Sequence, residues 1–410
     1  MRHVARAALP LVIAYHSAMA ARILSADQRH AASGIRVRLE PVVDLDRLGE
    51  AWRALEPRSE ASFFQSWGWI GCWLRHLGSD RQALAAIAAR DERTIGLGVF
   101  VAGREQGRIA RARSLRLHES GEPDRDAVCI EHNGLLAERA HAPAVWTAIL
   151  ATLNRVPGWD ELVLGGLDRD TAELCIEAAS AQDLGIVVRR RRASPHLDLE
   201  GLRRSGRALA DVLGRNTRQQ LARARRLYEA SGPLRLHAAQ SADEALAMLD
   251  RLKVWHQRTW QRRGRPGCFA SPVFEAFHRD LIQRRFCHGE ISLLCARAGD
   301  RPFGYLYNFA RAGRIYAYQS GFDYTDDGRL KPGLVSHALA IEQARRDNVA
   351  VYDFLAGENR LKASFASDRD DMVWLALQRR SGRAWLERRV AGLKALGRRG
   401  AATLGRGASP

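Results

Sequence analysis

The alternation of apolar and polar residues along the first half of the chain predicts strands mixed with helices. IRVRLEPV alternates with a period of two, as a half-buried strand does, and LDRLGEAWRAL follows with helical spacing. FFQSWGWIGCWLRHL (63–77) predicts a second helix. In ALAAIAARDERTIGLGVFVAG (83–103) the polar turn RDERT separates two apolar runs, so a β-hairpin is expected. A helix over 142–155 and the strand ELVLGGL (161–167) come next.

The second half repeats this order of elements. A strand at 234–239 is followed by a helix at 242–260, and ISLLCARAGDRPFGYLYNF (291–309) predicts another hairpin. Further strands are expected at 314–322 and 350–357. Two successive sets in the same order indicate a structural duplication. Because the strands are mostly antiparallel and interspersed with helices, the pattern predicts an α+β fold rather than a doubly wound one.

The chain length of 410 residues and the repeat predict a division into domains. The expected regions are a disordered tail or targeting segment at 1–34, a first domain at 35–200, a second domain at 201–380, and a basic helix with a tail at 381–410. We expect RRRRASPHLDLEG (189–201) and a basic helix at 214–232 to connect the two halves.

Charge adds a preference for anionic partners. The formal net charge is +18, and lysine stands only at positions 253, 331, 362 and 394, so nearly all of the basic residues are arginine. A basic surface favours nucleic acid, acidic lipid or a phosphorylated ligand. A genome-wide bias toward arginine explains the same composition without any ligand.

The cysteines and the hydropathy of the chain indicate its cellular location and whether it has a metal site. Six scattered cysteines without Cys-x-x-Cys spacing are typical of reduced thiols in a cytoplasmic protein. No apolar run approaches the roughly 20 residues of a membrane span, so no integral membrane segment is expected. Cys287 and His288 are the nearest approach to a metal cluster, and a single pair does not predict a site. The P-loop, nucleophile-elbow and His-Glu-x-x-His motifs are also missing.

The segment GRLKPGLVSHALAIEQARRDN begins with a turn that precedes an amphipathic helix. Proline is favoured at the first helical position, which leaves the amides of Gly333, Leu334 and Val335 at the open helix end. Such amides and the helix dipole form a phosphate site, to which Arg329 and Lys331 add charge. The spacing alone leaves open a turn that simply joins a strand to a helix.

The next strand, in YDFLAGENRLKASF, carries polar residues that are expected to face the same cleft. Glu358 and Lys362 follow the strand end, and Asp353 lies within the strand. Asp353 is either a substrate-binding carboxylate or a structural one that accepts from backbone amides. The arginine-rich helix at 214–232, which includes Arg218, is either a solvated face or a site for an anionic substrate.

These motifs, taken in order, resemble the CelD-like branch of the GNAT acetyltransferase superfamily. The resemblance rests on NTRQQLARARRLYEASG, on GFD with the later PGL helix, and on YDFLAGENRLK. It is strongest over about 205–380 and weaker over 36–200, and it extends to the FemAB-type aminoacyltransferases. The resemblance implies two GNAT-like halves, the second better equipped to bind acyl-CoA.

The same resemblance implies where the donor binds. In GNAT folds the pyrophosphate of CoA lies on amides at the start of the helix after the fourth strand, which corresponds here to Lys331, Gly333, Leu334 and Val335. The usual Gln/Arg-x-x-Gly-x-Gly/Ala form of that loop is missing from this sequence. The FemAB-type relatives use aminoacyl-tRNA instead, so that donor stays open.

An activated ester needs only alignment, proton removal and stabilisation of the oxyanion. The candidate bases are Glu358 and Asp323, the candidate acid is Tyr318, and Lys362 is placed to orient an anionic acceptor. The expected function is acyl transfer from acyl-CoA to an amine or hydroxyl of a sugar or envelope precursor. The alternatives are an aminoacyl-tRNA-dependent transferase and a non-enzymatic basic scaffold.

Overall fold

The structure is a computed structural model, and it describes residues 26–31, 33–105 and 112–379. Most of the predicted N-terminal tail and all of the predicted C-terminal basic helix lie outside these residues. Within the predicted tail, Asp27–His30 forms a strand that pairs antiparallel with the next one, so this part of the tail is ordered. No helix in the described ranges is both long and apolar enough to cross a bilayer.

The described residues contain fourteen strands and eleven α-helices. The strands are β1 (Asp27–His30), β2 (Ile35–Pro41), β3 (Ala83–Arg90), β4 (Arg93–Glu105), β5 (Ala112–Leu117), β6 (Leu136–Ala137), β7 (Glu161–Leu167), β8 (Gly185–Asp198), β9 (Leu234–Ala238), β10 (Ile291–Ala298), β11 (Arg301–Arg311), β12 (Arg314–Phe322), β13 (Val351–Asp353) and β14 (Asp368–Gln378). The helices are α1 (Leu45–Leu55), α2 (Trp67–Arg75), α3 (Ala142–Arg155), α4 (Arg169–Ser180), α5 (Leu199–Arg204), α6 (Leu209–Val212), α7 (Arg215–Glu229), α8 (Ala242–Arg262), α9 (Pro272–Arg285), α10 (Pro332–Arg346) and α11 (Arg360–Phe365).

All the strands belong to one sheet, in the order β1-β2-β3-β4-β5-β7-β14-β8-β13-β12-β11-β10-β9, with β6 paired to β4. Among the described strands only β5–β7 and β12–β13 pair in parallel, and each of these pairs is joined through a helix, α3 or α10. A parallel pair needs such a crossover, whereas antiparallel strands can be joined by a hairpin, as β3–β4, β10–β11 and β11–β12 are. The predicted α+β fold with a mixed, mostly antiparallel sheet is confirmed.

The centre of the sheet is built by strands that the two halves exchange. β8, late in the first half, pairs with β13 and β14, while β14, near the end of the described chain, pairs with β7 of the first half. Residues 189–201, which the sequence analysis expected to connect the halves without predicting a strand there, lie mostly in β8. The exchange makes one continuous sheet, and the predicted domain boundary at residue 200 stays a prediction.

The two halves also share an aromatic core. The ring of Phe63, just before α2, stacks on Phe309 of β11 at 4.2 Å between centroids. Trp69 of α2 meets Phe277 of α9 edge to face at 4.8 Å. Both pairs are almost completely buried, and aromatic contacts of this kind add to the stabilisation that burial gives. The aromatic stretch at 63–77 therefore fixes the first half against the second beside the site described next.

Candidate functional site

A cavity of about 760 Å³ opens where β12 and β13 part. The two strands pair only over Arg314–Tyr316 and Val351–Asp353, after which β12 continues to Phe322 paired with β11 alone. Ala317, Tyr318, Gln319 and Ser320 of β12 line the cavity, so this edge of the strand faces it without a partner strand among the described residues. Unpaired strand edges offer N–H and C=O groups to a bound chain.

The cavity is strongly basic. Arg192 of β8, Arg263 and Arg265 after α8, and Arg360 of α11 line it. Within the part of the chain that the structure describes, these four arginines form no ion pair with a carboxylate, whereas many other arginines of the protein do. Guanidinium groups without a carboxylate partner suit phosphate oxygens, which they bind in a bidentate manner.

Glu131 brings a carboxylate from the first half into this cavity. Its Oε2 accepts a hydrogen bond from the amide of Ala356 at 2.6 Å, and no hydrogen bond to Oε1 is present among the described residues. Burial raises the pKa of Glu131 above the ordinary value, although the Ala356 amide and the Lys362 charge partly oppose the shift. A carboxylate with a raised pKa and one free oxygen in a cavity is suited to general-base catalysis.

Lys362 holds the loop that follows β13. Its Nζ donates to the carbonyls of Leu355 and Ala356 at 3.0 and 3.1 Å. Leu355 has a left-handed backbone with φ of 61°, so the loop bends sharply at the cavity wall. Burial lowers the pKa of Lys362, and the charges of Glu131 and Asp353 partly oppose this. The ammonium group, predicted to orient an acceptor, therefore also fixes the loop against Glu131.

Asp353 lies below the cavity in a buried network of charges and does not line it. Its Oδ2 is 2.9 Å from Nε2 of His132 and 2.7 Å from Nη1 of Arg314, and its Oδ1 accepts from the Leu355 amide. Burial disfavours the charged forms of Asp353 and His132, but the attraction between their opposite charges outweighs it. This attraction lowers the pKa of Asp353 far below its usual range, and together with Asp168 it raises the pKa of His132 to about 10. This geometry corresponds to the second alternative for Asp353, a structural carboxylate rather than a substrate-binding one.

Tyr318 occupies a β-bulge in β12. The register passes from Tyr307 opposite Gln319 to Asn308 opposite Ala317, so Tyr318 is the extra residue and is left out of the ladder. Its hydroxyl donates to the carbonyl of Val128 at 2.5 Å and lies 3.0 Å from Nε2 of His278. Burial raises the pKa of Tyr318 well above its usual value, so the phenol stays protonated.

The start of α10 borders the cavity through Phe322 and Tyr324. A Cβ built on Gly333 would meet Phe322 at 3.2 Å, and both aromatic side chains line the cavity. The first-turn amides of Gly333 and Leu334 have no partner among the described residues, but the amide of Val335 donates to the Lys331 carbonyl. The expectation of a free amide at Val335 was therefore wrong.

The other predicted site residues lie outside the cavity or have partners. Arg329 forms an ion pair with Asp327 at 2.7 Å, and Asp323 lies 3.4 Å from Arg301. Arg218 of α7 donates to the carbonyl of Leu213. None of Arg329, Asp323 and Arg218 lines the cavity, and neither does Lys331, the residue before α10.

Glu358 does line the cavity, but it is largely exposed and pairs with Arg369 at 3.4 Å. The structure thus brings three predicted residues, Tyr318, Glu358 and Lys362, to the cavity wall. It adds Glu131 and the four unpaired arginines, which the sequence analysis did not single out. For Glu131 no local signal was present, since its segment has neither strand nor helix periodicity.

Residues 215–363 match the family model of the acetyltransferase (GNAT) domain. This part of the chain is a GNAT-type domain. It contains β12, β13 and α10 and thus most of the cavity wall, while Glu131 and Arg192 come from outside the matched region. The match supports acyl transfer as the activity of the second half.

Two solved structures share the overall fold. FemX is 8% identical, with 79% of this chain and 95% of that chain covered and a TM-score of 0.54. A conserved protein of unknown function from Bacteroides thetaiotaomicron VPI-5482 is 11% identical, with 81% and 97% covered and a TM-score of 0.50. At these identities the likeness concerns the fold alone. Curated protein sequences give no significant match to this chain.

Proposed function

We propose that this protein transfers an acyl group from acyl-CoA to an amine or hydroxyl of a sugar or envelope precursor, in the manner of the CelD-like proteins it resembles. The proposal rests chiefly on the cavity of about 760 Å³ between β12 and β13, with its four unpaired arginines. A cytoplasmic location, where acyl-CoA is available, belongs to the same proposal. The link to exopolysaccharide production rests on the resemblance alone.

The residues at the cavity suit a donor that carries phosphates and an extended amide-bearing arm. Arg263, Arg265 and Arg360 offer guanidinium groups to the phosphates. The free edge of β12 offers backbone groups to an extended chain, as an edge strand does for a peptide. The amides of Gly333 and Leu334 at the start of α10 provide a further anion site, with Lys331 beside them.

The thioester of acyl-CoA supplies an activated carbonyl, and the protein supplies proton transfer and charge stabilisation. Glu131 accepts the proton of the attacking amine or hydroxyl through its free Oε1. Backbone N–H groups at the Tyr318 bulge donate to the carbonyl oxygen as negative charge develops on it. The hydroxyl of Tyr318 is the candidate donor of a proton to the leaving thiolate, a step that breaks its hydrogen bond to the Val128 carbonyl. A proton from solvent then restores the phenol, and His278 lies behind it at 3.0 Å.

Glu358 is the alternative base. It stands at the cavity, but its carboxylate is about two-thirds exposed and is paired with Arg369. A base that is solvated and paired to an arginine is a weaker proton acceptor than one whose pKa burial has raised. Glu131 is for this reason the base we prefer.

A second candidate is transfer from aminoacyl-tRNA, as in the FemAB-type family. The exposed arginines of α7 favour it. Arg215, Arg223 and Arg226 are exposed and form no ion pair in the described ranges, and they add to a net charge of +18. A basic helix of this kind is an electrostatic footprint for nucleic acid.

Calorimetric titration with acetyl-CoA and, separately, with aminoacyl-tRNA distinguishes the two donors. In the paired variant Arg263→Glu/Arg265→Glu, acetyl-CoA affinity is expected to fall about tenfold or more, because hydrogen bonds to charged groups contribute about 1.5–3 kcal/mol. The matched variant Arg215→Glu/Arg223→Glu, on exposed α7, should leave acetyl-CoA affinity unchanged.

Three outcomes separate the hypotheses. Saturable acetyl-CoA binding that only the cavity variant weakens supports the proposal. Binding to aminoacyl-tRNA alone, with a steep dependence on salt and sensitivity to the α7 variant, supports the second candidate. Saturable binding of neither donor contradicts both and leaves a non-enzymatic scaffold.

A further inference from the structure

We propose that Cys72, His76 and Asp280 form a binding site for a zinc-class divalent cation that clamps the two halves of the protein together. Cys72 lies in the last turn of α2, and His76 caps that helix by donating its amide to the Cys72 carbonyl. Asp280 lies on α9, 208 residues further along the chain than Cys72. None of the three residues lines the acyl-transfer cavity, and the inference does not depend on the proposed function.

Two of the three separations between the ligand atoms already match those that a tetrahedral ion requires. Sγ of Cys72 is 3.5 Å from Oδ2 of Asp280, and Nε2 of His76 is 3.4 Å from the same oxygen. With Zn–S of about 2.3 Å and Zn–N or Zn–O of about 2.0 Å, tetrahedral geometry places sulfur and oxygen about 3.5 Å apart, and nitrogen and oxygen about 3.3 Å apart. The third separation, between Cys72 and His76, is at most 4.8 Å, so a small side-chain adjustment brings all three ligand atoms onto one face of a coordination tetrahedron.

The chemistry of the three groups fits zinc better than a hard cation. Thiolate, imidazole and carboxylate together are a zinc ligand set, whereas magnesium and calcium prefer oxygen alone. A thiolate and a carboxylate carry two negative charges, which balance the charge of the ion. Three protein ligands leave a fourth position for water, and His76 and Asp280 are 25% and 20% exposed, so solvent reaches that side.

The surroundings hold the carboxylate ligand in place. Oδ1 of Asp280 accepts a hydrogen bond from Nε of Arg284 at 2.7 Å, which leaves Oδ2 directed to Cys72 and His76. Ligating carboxylates in metal sites are commonly oriented by such an outer partner. Without an ion, Cys72 and His76 can still donate hydrogen bonds to Oδ2, so the fold retains the arrangement in both states.

An ion at this position would stabilise the contact between α2 and α9. These helices carry Trp69 and Phe277, whose edge-to-face contact belongs to the core that the halves share. Because the ligands come from both helices, binding opposes their separation. The native protein with bound ion is therefore expected to unfold at a higher temperature than the metal-free protein.

The test begins with the full-length protein, made metal-free with a chelator and titrated with Zn²⁺ by calorimetry. We expect one ion per chain and a rise in Tm on binding. Co²⁺ serves as a spectroscopic probe, because a thiolate ligand adds a charge-transfer band and tetrahedral coordination gives strong d–d bands. Arg284→Gln, which removes the outer partner, should weaken zinc binding about 10- to 100-fold.

Substitution of the ligands decides between this site and adventitious binding. Cys72→Ser should abolish the charge-transfer band and the stoichiometric binding. Cys287→Ser is the matched control, because the exposed Cys287 touches His288 at 3.2 Å but has no third ligand within reach among the described residues. His76→Gln affects a partly exposed side chain and serves if Cys72→Ser fails to fold.

Two results would overturn the proposal. One is the absence of stoichiometric Zn²⁺ binding to the metal-free wild type. The other is binding that survives both Cys72→Ser and His76→Gln, or that Cys287→Ser removes, since the ion would then lie elsewhere.

Discussion

Each half of the molecule contains one pair of parallel strands that part after three residues, and the two gaps differ in what fills them. In the first half, β5 and β7 pair over Ser114–Arg116 and Glu161–Val163. Beyond this point Asn133 bridges them, since its Nδ2 donates to the carbonyls of Leu117 and Gly165 at 3.1 and 3.0 Å. Its backbone amide also donates to the Gly166 carbonyl at 2.9 Å, so a single residue closes the gap. In the second half, the corresponding gap between β12 and β13 is the cavity.

The segment that closes the first gap also forms a wall of the second. The Val128 carbonyl accepts from Tyr318, Glu131 accepts from the Ala356 amide, and His132 pairs with Asp353. Of the two similar gaps only the second is open, and a segment of the first half forms one of its walls. For this reason a candidate base comes from outside the GNAT-type domain.

The largest expected effect is that of Glu131→Gln on turnover. If Glu131 is the base that the first half lends to the cavity, its loss should lower kcat by about 10²- to 10⁴-fold, the usual contribution of a general base. KM should change little, because glutamine has the same shape as glutamate and residue 131 is not among the arginines proposed to bind the donor. Steady-state kinetics with acetyl-CoA and a model amine acceptor measure both constants.

The pH profile and a matched carboxylate control make this test specific. Burial raises the pKa of Glu131, and a base must be deprotonated, so wild-type activity should fall as pH decreases through that raised value. Glu119 of the first half is the control, since burial raises its pKa to about 7 but it does not line the cavity. A loss of kcat in Glu119→Gln equal to that in Glu131→Gln would contradict the assignment.

The second prediction concerns the buried charges under the cavity. Asp353→Asn leaves His132 and Arg314 without their shared carboxylate, and breaking a buried ion pair in this way costs about 3–5 kcal/mol. Chemical denaturation monitored by tryptophan fluorescence measures the free energy of unfolding. Since His132 is joined to Glu131 in the chain, kcat should fall as well. An unchanged free energy of unfolding would mean that the first-half segment is not anchored by this pair.

The local pattern of apolar and polar residues predicted well several of the strands and helices beside the two gaps. The strands at 161–167 and 314–322 and the helix at 142–155 have the predicted bounds, because apolar periodicity there agrees with the final burial. β8 was missed because four successive arginines mask its alternation. In the structure Arg189 pairs with Glu161, and Arg190 lies 3.9 Å from the ring of Trp374, so neighbouring strands make these charges tolerable.

The site was harder to predict because its parts meet only in the folded chain. Tyr318 lies in β12 itself, and Glu358 and Lys362 follow the end of β13, so one segment of the sequence contains all three. Glu131 lies 225 residues before its partner Ala356, and no local pattern connects them. The same holds for Asp280, which lies 208 residues after Cys72 in the chain.

The third prediction tests the closed gap of the first half. Asn133→Ala removes the side-chain bridge between β5 and β7, so the carbonyls of Leu117 and Gly165 lose the donor Nδ2. This loss should lower the free energy of unfolding by about 1–3 kcal/mol. Denaturation again measures the loss. The kcat of the folded variant should stay near that of the wild type, because Asn133 does not line the second cavity. New binding of acetyl-CoA at the opened gap would instead reveal a latent second site.

The smallest effect is expected at Glu358, the alternative base. Its ion pair with Arg369 joins two largely exposed side chains, and exposed pairs contribute less than about 1 kcal/mol. Glu358→Gln should therefore change both the free energy of unfolding and kcat only slightly. If kcat instead falls as far as in Glu131→Gln, the base belongs to the second half. The open cleft would then carry its chemistry within the GNAT-type domain, and the first half would contribute packing alone.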